Sequence, residues 1–403
     1  MKTIVFVECN ISGTGVSALK IAKRLGYHTV LFTKECAFYR KIPDDPTLYV
    51  DDIIELNTDC MVSVLHKAMQ YNTVGVVAFD DYRLVTAAAV SHALGLPSPS
   101  IKALVSCRYK NISREILSNK EENIKFKVCQ IGENIDFSEF TFPLVVKPCD
   151  DSGSSQVTIC SNIEEANIAV TELINFRINN RGYKLSSYYL IEEFIQGSEY
   201  SAEVYWNIEL NQWEVLGITE KITTQGKYAV EIGHNFPCKL ELKNKIEETI
   251  IGWLNRLGLS HTVAHVEFKL DNNKIRLIEV NPRVAGGMID NLCENVTGFS
   301  LVECYLSLHV KGMSYIPQSV VENRFASIRF ITPTKLGTIK TISTALVLSP
   351  SLLYKFVSTP IDAKALKDSY SRLGYIVVYG TCAEEVITSV ESKLQQIKIE
   401  YIE

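Results

Sequence analysis

Along the chain, short continuous apolar runs alternate with segments whose apolar positions recur at helical spacing, and glycine- or proline-containing turns separate the two. Ile4-Val5-Phe6-Val7 lies in a strand-like run over residues 3–8. The turn Cys9-Asn10-Ile11-Ser12-Gly13-Thr14-Gly15 leads from it into an amphipathic helix ending near Gly26, and Thr29 to Thr33 reads as a second strand. Val74 to Phe79 repeats the strand pattern, stops at Asp80-Asp81, and precedes a helix from about Tyr82 to Leu94. This alternation predicts an α/β, doubly wound unit over residues 1–98, with its boundary near Pro97–Pro99.

Beyond that boundary the pattern changes to paired strands. A helix opens at Cys107 and runs to about Ser118, followed by strands at Phe126 to Gln130 and Leu144 to Lys147. Tyr188 to Glu203 reads as two strands bent at Gly197, and residues 213–221 form another, ending at Glu220-Lys221. Thr223 to Asn235, carrying Gly226, Gly233 and His234, reads as a polar loop of the length that often serves as a lid. An amphipathic helix spans about Lys243 to Leu257. A hairpin follows, Val263 to Leu270 and Leu277 to Asn281, turning at Asp271-Asn272-Asn273, and a helical segment continues to about Val310. The predicted middle unit covers 99–320, divided at 185/186. The small α+β end, 321–403, has strands near 325–331 and 374–379 and a helix from Ala383 to Ile397.

At 403 residues the chain is too long for one core, which agrees with this division. A net charge of −5 with 22% charged residues gives no argument for nucleic acid or a membrane surface as partner. The start, Met1-Lys2-Thr3, turns polar too soon for a signal peptide, and no apolar run reaches the roughly 18 residues of a spanning helix. The 11 cysteines form no CxxC pair, so they read as reduced thiols of a cytoplasmic protein rather than zinc ligands.

The hairpin carries the strongest chemistry. Side chains repeat every two residues along a strand, so Glu279 and Asn281 share a face, Arg283 continues it, and Glu267 stands across on the partner strand. Two carboxylates and an amide oxygen are hard ligands suited to Mg²⁺, and the arginine can hold phosphate; an ordinary solvent-facing hairpin has the same pattern. Lys147 ends an apolar strand before Asp150-Asp151-Ser152-Gly153-Ser154-Ser155, an arrangement able to surround a polyphosphate, although no Walker sequence is present. The bend after Glu193, Phe194 and Ile195 could offer backbone groups to an adenine edge, with Glu199 accepting from a ribose; a plain bent strand pair is the alternative. Gly13-x-Gly15-x-x-Ala18 with Glu35 matches a dinucleotide fingerprint weakly, since close strand–helix packing demands the same glycines.

Taken in order, Lys110, Val145-Val146-Lys147-Pro148 with its glycine–serine loop, Glu192-Glu193-Phe194-Ile195 with Glu199, and Glu267 followed by Glu279-Val280-Asn281-Pro282-Arg283 resemble the ATP-grasp superfamily of carboxylate–amine ligases over nearly the whole chain. The resemblance implies an ATP-grasp fold: an N-terminal doubly wound domain, a two-part ATP-binding domain with an α+β grasp core, and a small C-terminal domain. It further implies that Lys110 and Lys147 contact ATP phosphates under a loop bearing Ser154 and Ser155. Glu192, Glu193, Phe194 and Ile195 would line the adenine hinge, with Glu199 on the ribose. Glu267, Glu279 and Asn281 would hold two Mg²⁺ ions, Mn²⁺ being an allowed substitute, and Arg283 would stabilise the transferring phosphoryl group. The N-terminal turn is then expected to face the acceptor substrate rather than NAD.

Val284-Ala285-Gly286-Gly287, Arg114-Glu115-Ile116-Leu117 and Glu231-Ile232-Gly233-His234 look like the L-amino-acid ligases, or dipeptide synthases. Biotin carboxylases carry a catalytic glutamate where this chain has Gly287. The resemblance therefore implies an ATP-dependent enzyme joining two amino acids through an acyl phosphate, with Gly286 and Gly287 near the acyl carbon. His234 would be a substrate contact or a satisfied loop histidine. A biotin-carboxylase-like enzyme, a ligase of another carboxylate, and a catalytically silent nucleotide-binding regulator are the alternatives, and a homodimer is compatible with any of them.

Overall fold

The computed structural model describes residues 1–40, 42, 44–118, 124–316 and 324–402. Near the N-terminus four parallel strands lie in the order Asp52–Glu55, His28–Thr33, Thr3–Val7 and Thr73–Val77. Helices Thr14–Arg24, Met61–Ala68 and Leu84–Ala93 accompany the sheet, and all five residues of Thr3–Val7 are buried, as expected for a parallel strand covered on both faces. Gly13 enters the first helix at φ 88°, and a Cβ on Gly15 would stand 2.8 Å from Cys9 Sγ. Close packing of strand against helix therefore accounts for these glycines.

A second sheet, wholly antiparallel, orders Phe126–Gln130, Tyr188–Glu193, Leu144–Pro148 and Thr158–Cys160. Ahead of it, the single helix expected from Cys107 is two helices, Ile101–Arg108 and Lys110–Leu117. Tyr109 between them is extended (φ −98°, ψ 104°), and the Lys110 amide donates to Cys149 O at 2.9 Å. That break sets Lys110 beside the end of the strand carrying Lys147.

The largest sheet has eight antiparallel strands: Lys274–Asn281, Val263–Asp271, Ser198–Asn207, Gln212–Thr223, Glu231–Phe236, Phe325–Ile331, Gly374–Gly380 and Leu352–Phe356. It joins the hairpin at one edge to C-terminal strands at the other; the expected division at 320/321 lies outside the described residues. Helix Ala383–Leu394 packs on Phe325–Ile331 and Gly374–Gly380, and a three-stranded sheet of Ile361–Ala363, Gly337–Ser343 and Lys398–Tyr401 completes this end.

One expected loop is a strand. Glu231–Phe236 lies inside the large sheet, so only residues 224–230 connect it to Gln212–Thr223. Asn235 within it is satisfied laterally: its Nδ2 donates to Glu220 at 2.7 Å, and the Ser327 hydroxyl donates to its Oδ1 at 2.7 Å. No described helix is long and apolar enough to cross a membrane.

Candidate active site

A cleft of about 390 Å³ opens between the N-terminal turn, the two antiparallel sheets and the C-terminal strands. Lys110, Lys147, Ser154, Ser155, Glu199, Glu267, Glu279, Arg283, Gly286 and Gly287 all line it.

The hairpin fixes the acidic part. Asn272 and Asn273 take left-handed conformations (φ 47° and 65°), which a two-residue hairpin turn requires and asparagine tolerates. That turn pairs Asp271 with Lys274 through to Phe268 with Leu277, and a bulge between Glu267 and Phe268 then shifts the register by one, setting Glu267 directly opposite Glu279. Asn281 Nδ2 donates to Glu279 Oε1 at 2.9 Å, and Asn281 borders a smaller recess that also touches Lys110 and Glu279. The Lys110 ammonium holds Glu279 Oε2 at 2.9 Å and donates to Asp151 O at 2.8 Å. Burial alone would raise the Glu279 pKa, but Lys110 and the Asn281 amide outweigh it and hold the carboxyl well below its usual range.

Glu267 takes part in a second cluster. The Lys221 ammonium lies 2.8 Å from Glu267 and 3.2 Å from Glu199, and is also paired with Glu231. These three carboxylates converge closely enough to share one cation. On the other side of Glu267, His265 Nε2 lies 3.0 Å from its Oε1 while Nδ1 lies 3.0 Å from Glu203 Oε2. Burial opposes charge on His265, yet Glu203 and Glu267 raise its pKa to about 10. The donors presented by Glu267, Glu279 and Asn281 are hard oxygens, a set that fits Mg²⁺, and two ammonium groups already rest against the carboxylates.

Behind the cleft lies a buried charge relay. Glu192 accepts from Arg114 Nε at 2.8 Å and lies 2.7 Å from the Lys147 ammonium. Arg114 also donates to Ile278 O at 2.8 Å, tying the relay to the hairpin. Burial raises and the two cations lower the Glu192 pKa, to a net value of about 2, whereas burial lowers that of Lys147. In the hydroxyl-rich loop, Gly153, Ser154 and Gln156 all have positive φ, and the loop is tied to the N-terminal region where the Tyr82 hydroxyl donates to Asp151 Oδ1 at 2.7 Å.

Several expected site residues stand apart from the main cleft. The Glu192 carboxylate is turned inward to Arg114 and Lys147, and Glu193 pairs with Arg276. Phe194 lies 5.2 Å from the Lys269 ammonium, which donates to Ile195 O at 3.3 Å. His234 is in a strand, wholly buried, edge-on to Phe330 at 5.5 Å. Burial holds it neutral, with a pKa of about 3, so the expectation of a loop histidine is corrected. Gly287 has φ 60°, and a Cβ there would come 2.9 Å from His234 Nε2.

The sequence reading of the site missed Lys221, Asp81 and Arg181, as well as His265. Lys221 ends a strand as Lys147 does, which was a usable signal. Asp81 grips Arg283 with two contacts, 2.5 and 2.7 Å long, and follows an apolar strand. Arg181, from an irregular segment without any such signal, reaches Asp80 at 2.8 Å.

Comparison with known proteins identifies two ATP-grasp regions in the chain. Residues 140–291 match the ATP-grasp domain and residues 19–98 the ATP-grasp N-terminal domain. An uncharacterized protein, y4rH, of Sinorhizobium fredii is 22% identical over 98% of this chain and 82% of its own. The D-alanine–D-alanine ligase of Clostridium beijerinckii is 30% identical over 30% of this chain and 40% of its own. Among solved structures, the L-amino acid ligase of Bacillus licheniformis superposes with a TM-score of 0.80 at 20% identity, covering 100% of this chain and 99% of that one. The biotin carboxylase domain of the Hydrogenobacter thermophilus 2-oxoglutarate carboxylase gives 0.73 at 14% identity, covering 100% and 91%.

Proposed function

We propose, from the premise that the chain belongs to the ATP-grasp superfamily, that it is an ATP-dependent ligase joining the carboxylate of one amino acid to the amine of another, with release of ADP and phosphate. The observation that carries the reading is the convergence of Lys110, Lys147, Glu267, Glu279, Arg283 and the Gly286-Gly287 turn on one cleft.

In this reading the nucleotide phosphates lie against Lys110 and Lys147, under Ser154 and Ser155. Glu193 to Ile195 flank the base, and Glu199 receives a ribose hydroxyl. Lys221 adds charge at the nucleotide end. Glu267, Glu279 and Asn281 hold Mg²⁺, which neutralises phosphate charge when bound. Phosphoryl transfer asks little covalent chemistry of the protein, so positioning and charge account for most of the acceleration. Arg283, braced by Asp81, faces the oxygens of the transferring group. The substrate carboxylate attacks the γ-phosphorus and ADP leaves, giving an acyl phosphate. A neutral amine then adds to the acyl carbon, phosphate departs with the electron pair of its C–O bond, and the nitrogen's extra proton passes to the released phosphate or to water.

The absence of a side chain at Gly287 supports amine over bicarbonate chemistry. No base can project from that position, and the left-handed backbone with His234 beyond it leaves no room for a glutamate. The test is an ADP-release screen over pairs of amino acids, with products identified by mass. ADP and a dipeptide are expected. AMP as product would remove the grasp mechanism, and stimulation by bicarbonate and biotin alone would move the protein to the carboxylases.

A further inference from the structure

We infer that His265 is a positioning residue for Glu267, holding that carboxylate so that it offers a divalent cation a single oxygen, and that the Glu203–His265 pair thereby makes the site favour Mg²⁺ over Ca²⁺. This rests on the reading of Glu267 as a metal ligand.

The sheet register brings these side chains together. Val263–Asp271 lies between Lys274–Asn281 and Ser198–Asn207, and its pairing sets His265 across from Glu203 and Glu267 across from Ser201. Side chains two apart on a strand share a face, so the four form one polar patch, and His265 and Glu267 line the cleft.

His265 Nδ1 lies 3.0 Å from Glu203 Oε2, and its Nε2 lies 3.0 Å from Glu267 Oε1. Carboxylate oxygens accept, so both ring nitrogens donate. Glu203 is itself fixed: the Ser201 hydroxyl donates to its Oε1 at 2.8 Å and the Thr219 hydroxyl at 3.3 Å. Glu203 is 1% exposed and His265 4%. Anchored at its far end, the ring cannot follow Glu267 through a rotation without giving up Glu203.

The other oxygen is held differently. Glu267 Oε2 lies 2.8 Å from the Lys221 ammonium, which also has Glu199 at 3.2 Å and Glu231 as partners. A cation that takes one oxygen of Glu267 needs at most Lys221 to yield, and Lys221 keeps two other carboxylates. A cation chelated by both oxygens has also to break the His265 contact, leaving a buried ring nitrogen without its acceptor. Ca²⁺ accepts about six to eight oxygens and often takes two from one carboxylate, whereas the smaller Mg²⁺ demands a near-ideal octahedron, which the narrow bite of a carboxylate fits poorly. The grip of His265 on Oε1 therefore costs Ca²⁺ more than Mg²⁺.

The test reads metal binding rather than turnover. Protein in excess of ADP is titrated with Mn²⁺, standing in for Mg²⁺, and free Mn²⁺ is followed by EPR; Ca²⁺ is then added to displace the bound ion. The ratio of the Ca²⁺ to the Mn²⁺ dissociation constant should fall by about tenfold in His265→Gln, the low end of what losing the partner behind a metal ligand costs. Both ions carry two charges, so removal of a nearby positive charge shifts the two affinities alike and leaves the ratio unmoved. An unchanged ratio in a variant that still binds ADP overturns the inference, whether both ions weaken or neither does. If His265→Gln does not bind ADP, the double variant His265→Gln with Glu203→Gln, which strands no buried carboxylate, decides in its place. Glu267→Gln tests the underlying assignment separately: unchanged Mn²⁺ affinity there would remove Glu267 from the metal site, whereas weakened Mn²⁺ with an unchanged ratio in His265→Gln would keep the metal site and overturn the role of His265.

Discussion

The Lys110 ammonium and the Glu279 carboxylate are ion-paired at 2.9 Å, and both line the cleft. The pair joins the start of a helix to the hairpin edge of the large sheet, and it keeps a would-be metal ligand charged in the absence of metal. In the proposed reading, a cation for phosphate and a carboxylate for metal are thus pre-positioned together, so little reorganisation would be needed when nucleotide and Mg²⁺ arrive.

Glu279→Ala should lower kcat for ADP release by at least about a hundredfold, because the carboxylate acts where charge changes in the transition state. Glu199→Ala should instead raise the KM for ATP, a ribose contact being shared by ground and transition states. Steady-state kinetics of both variants decide this; near-normal turnover in Glu279→Ala would refute the metal assignment.

Glu192→Ala should destabilise the fold by roughly 3–5 kcal/mol, since it strands Arg114 and Lys147 as buried cations. The pH dependence follows from the sign of the shift. The folded-state pKa of about 2 lies below the ordinary 4.5, so the stabilisation is present above pH 4.5 and fades as pH falls toward 2. Urea unfolding of wild type and variant across that range measures both effects, and equal slopes for the two proteins would count against the relay.

Two buried histidines, His265 beside Glu267 and His234 in the strand Glu231–Phe236, should titrate in opposite senses in nucleotide-free protein. His265, raised to about 10, stays protonated at pH 8; its stabilising effect is complete below pH 6.5 and is lost as pH rises through 10. His234, lowered to about 3, stays neutral at pH 5, and its neutral burial costs stability as pH falls from 6.5 toward 3. Ring-proton NMR titration with His234→Gln as the assignment control checks both; a His265 signal titrating near pH 6.5 would contradict the Glu203 contact.

Hydrogen exchange should separate loop from strand. Residues 224–230 should gain protection when ATP and amino acids bind, consistent with a gate over a hydrolysable intermediate. Glu231–Phe236, hydrogen-bonded on both sides, should be protected throughout. Uniform behaviour across 224–236 would mean that the strand is not held as the sheet requires.

Hydroxylamine should trap the acyl phosphate. With ATP, Mg²⁺ and one amino acid but no second amine, a hydroxamate should accumulate and be detectable by mass. Its absence alongside sustained ADP release would argue against an activated carboxylate.

The sequence by itself determined the alternation of strands and helices and the hairpin. Local rules governed each: a period of two along the strands, and asparagines at positive φ in a two-residue turn. It set Glu267 facing Glu279 across the hairpin, as observed, and identified the order of motifs shared with ATP-grasp ligases; the exact pairing depends on a bulge between Glu267 and Phe268. Tertiary structure alone decided how the pieces meet. Glu231–Phe236 could not be told from a loop because Asn235 finds its partners, Glu220 and Ser327, on neighbouring strands that no local window contains. The same reason hid the inward turn of Glu192 to Arg114 and the grip of Asp81 on Arg283. Each depends on side chains far apart in sequence, brought within a few ångströms only when the sheets close around the cleft.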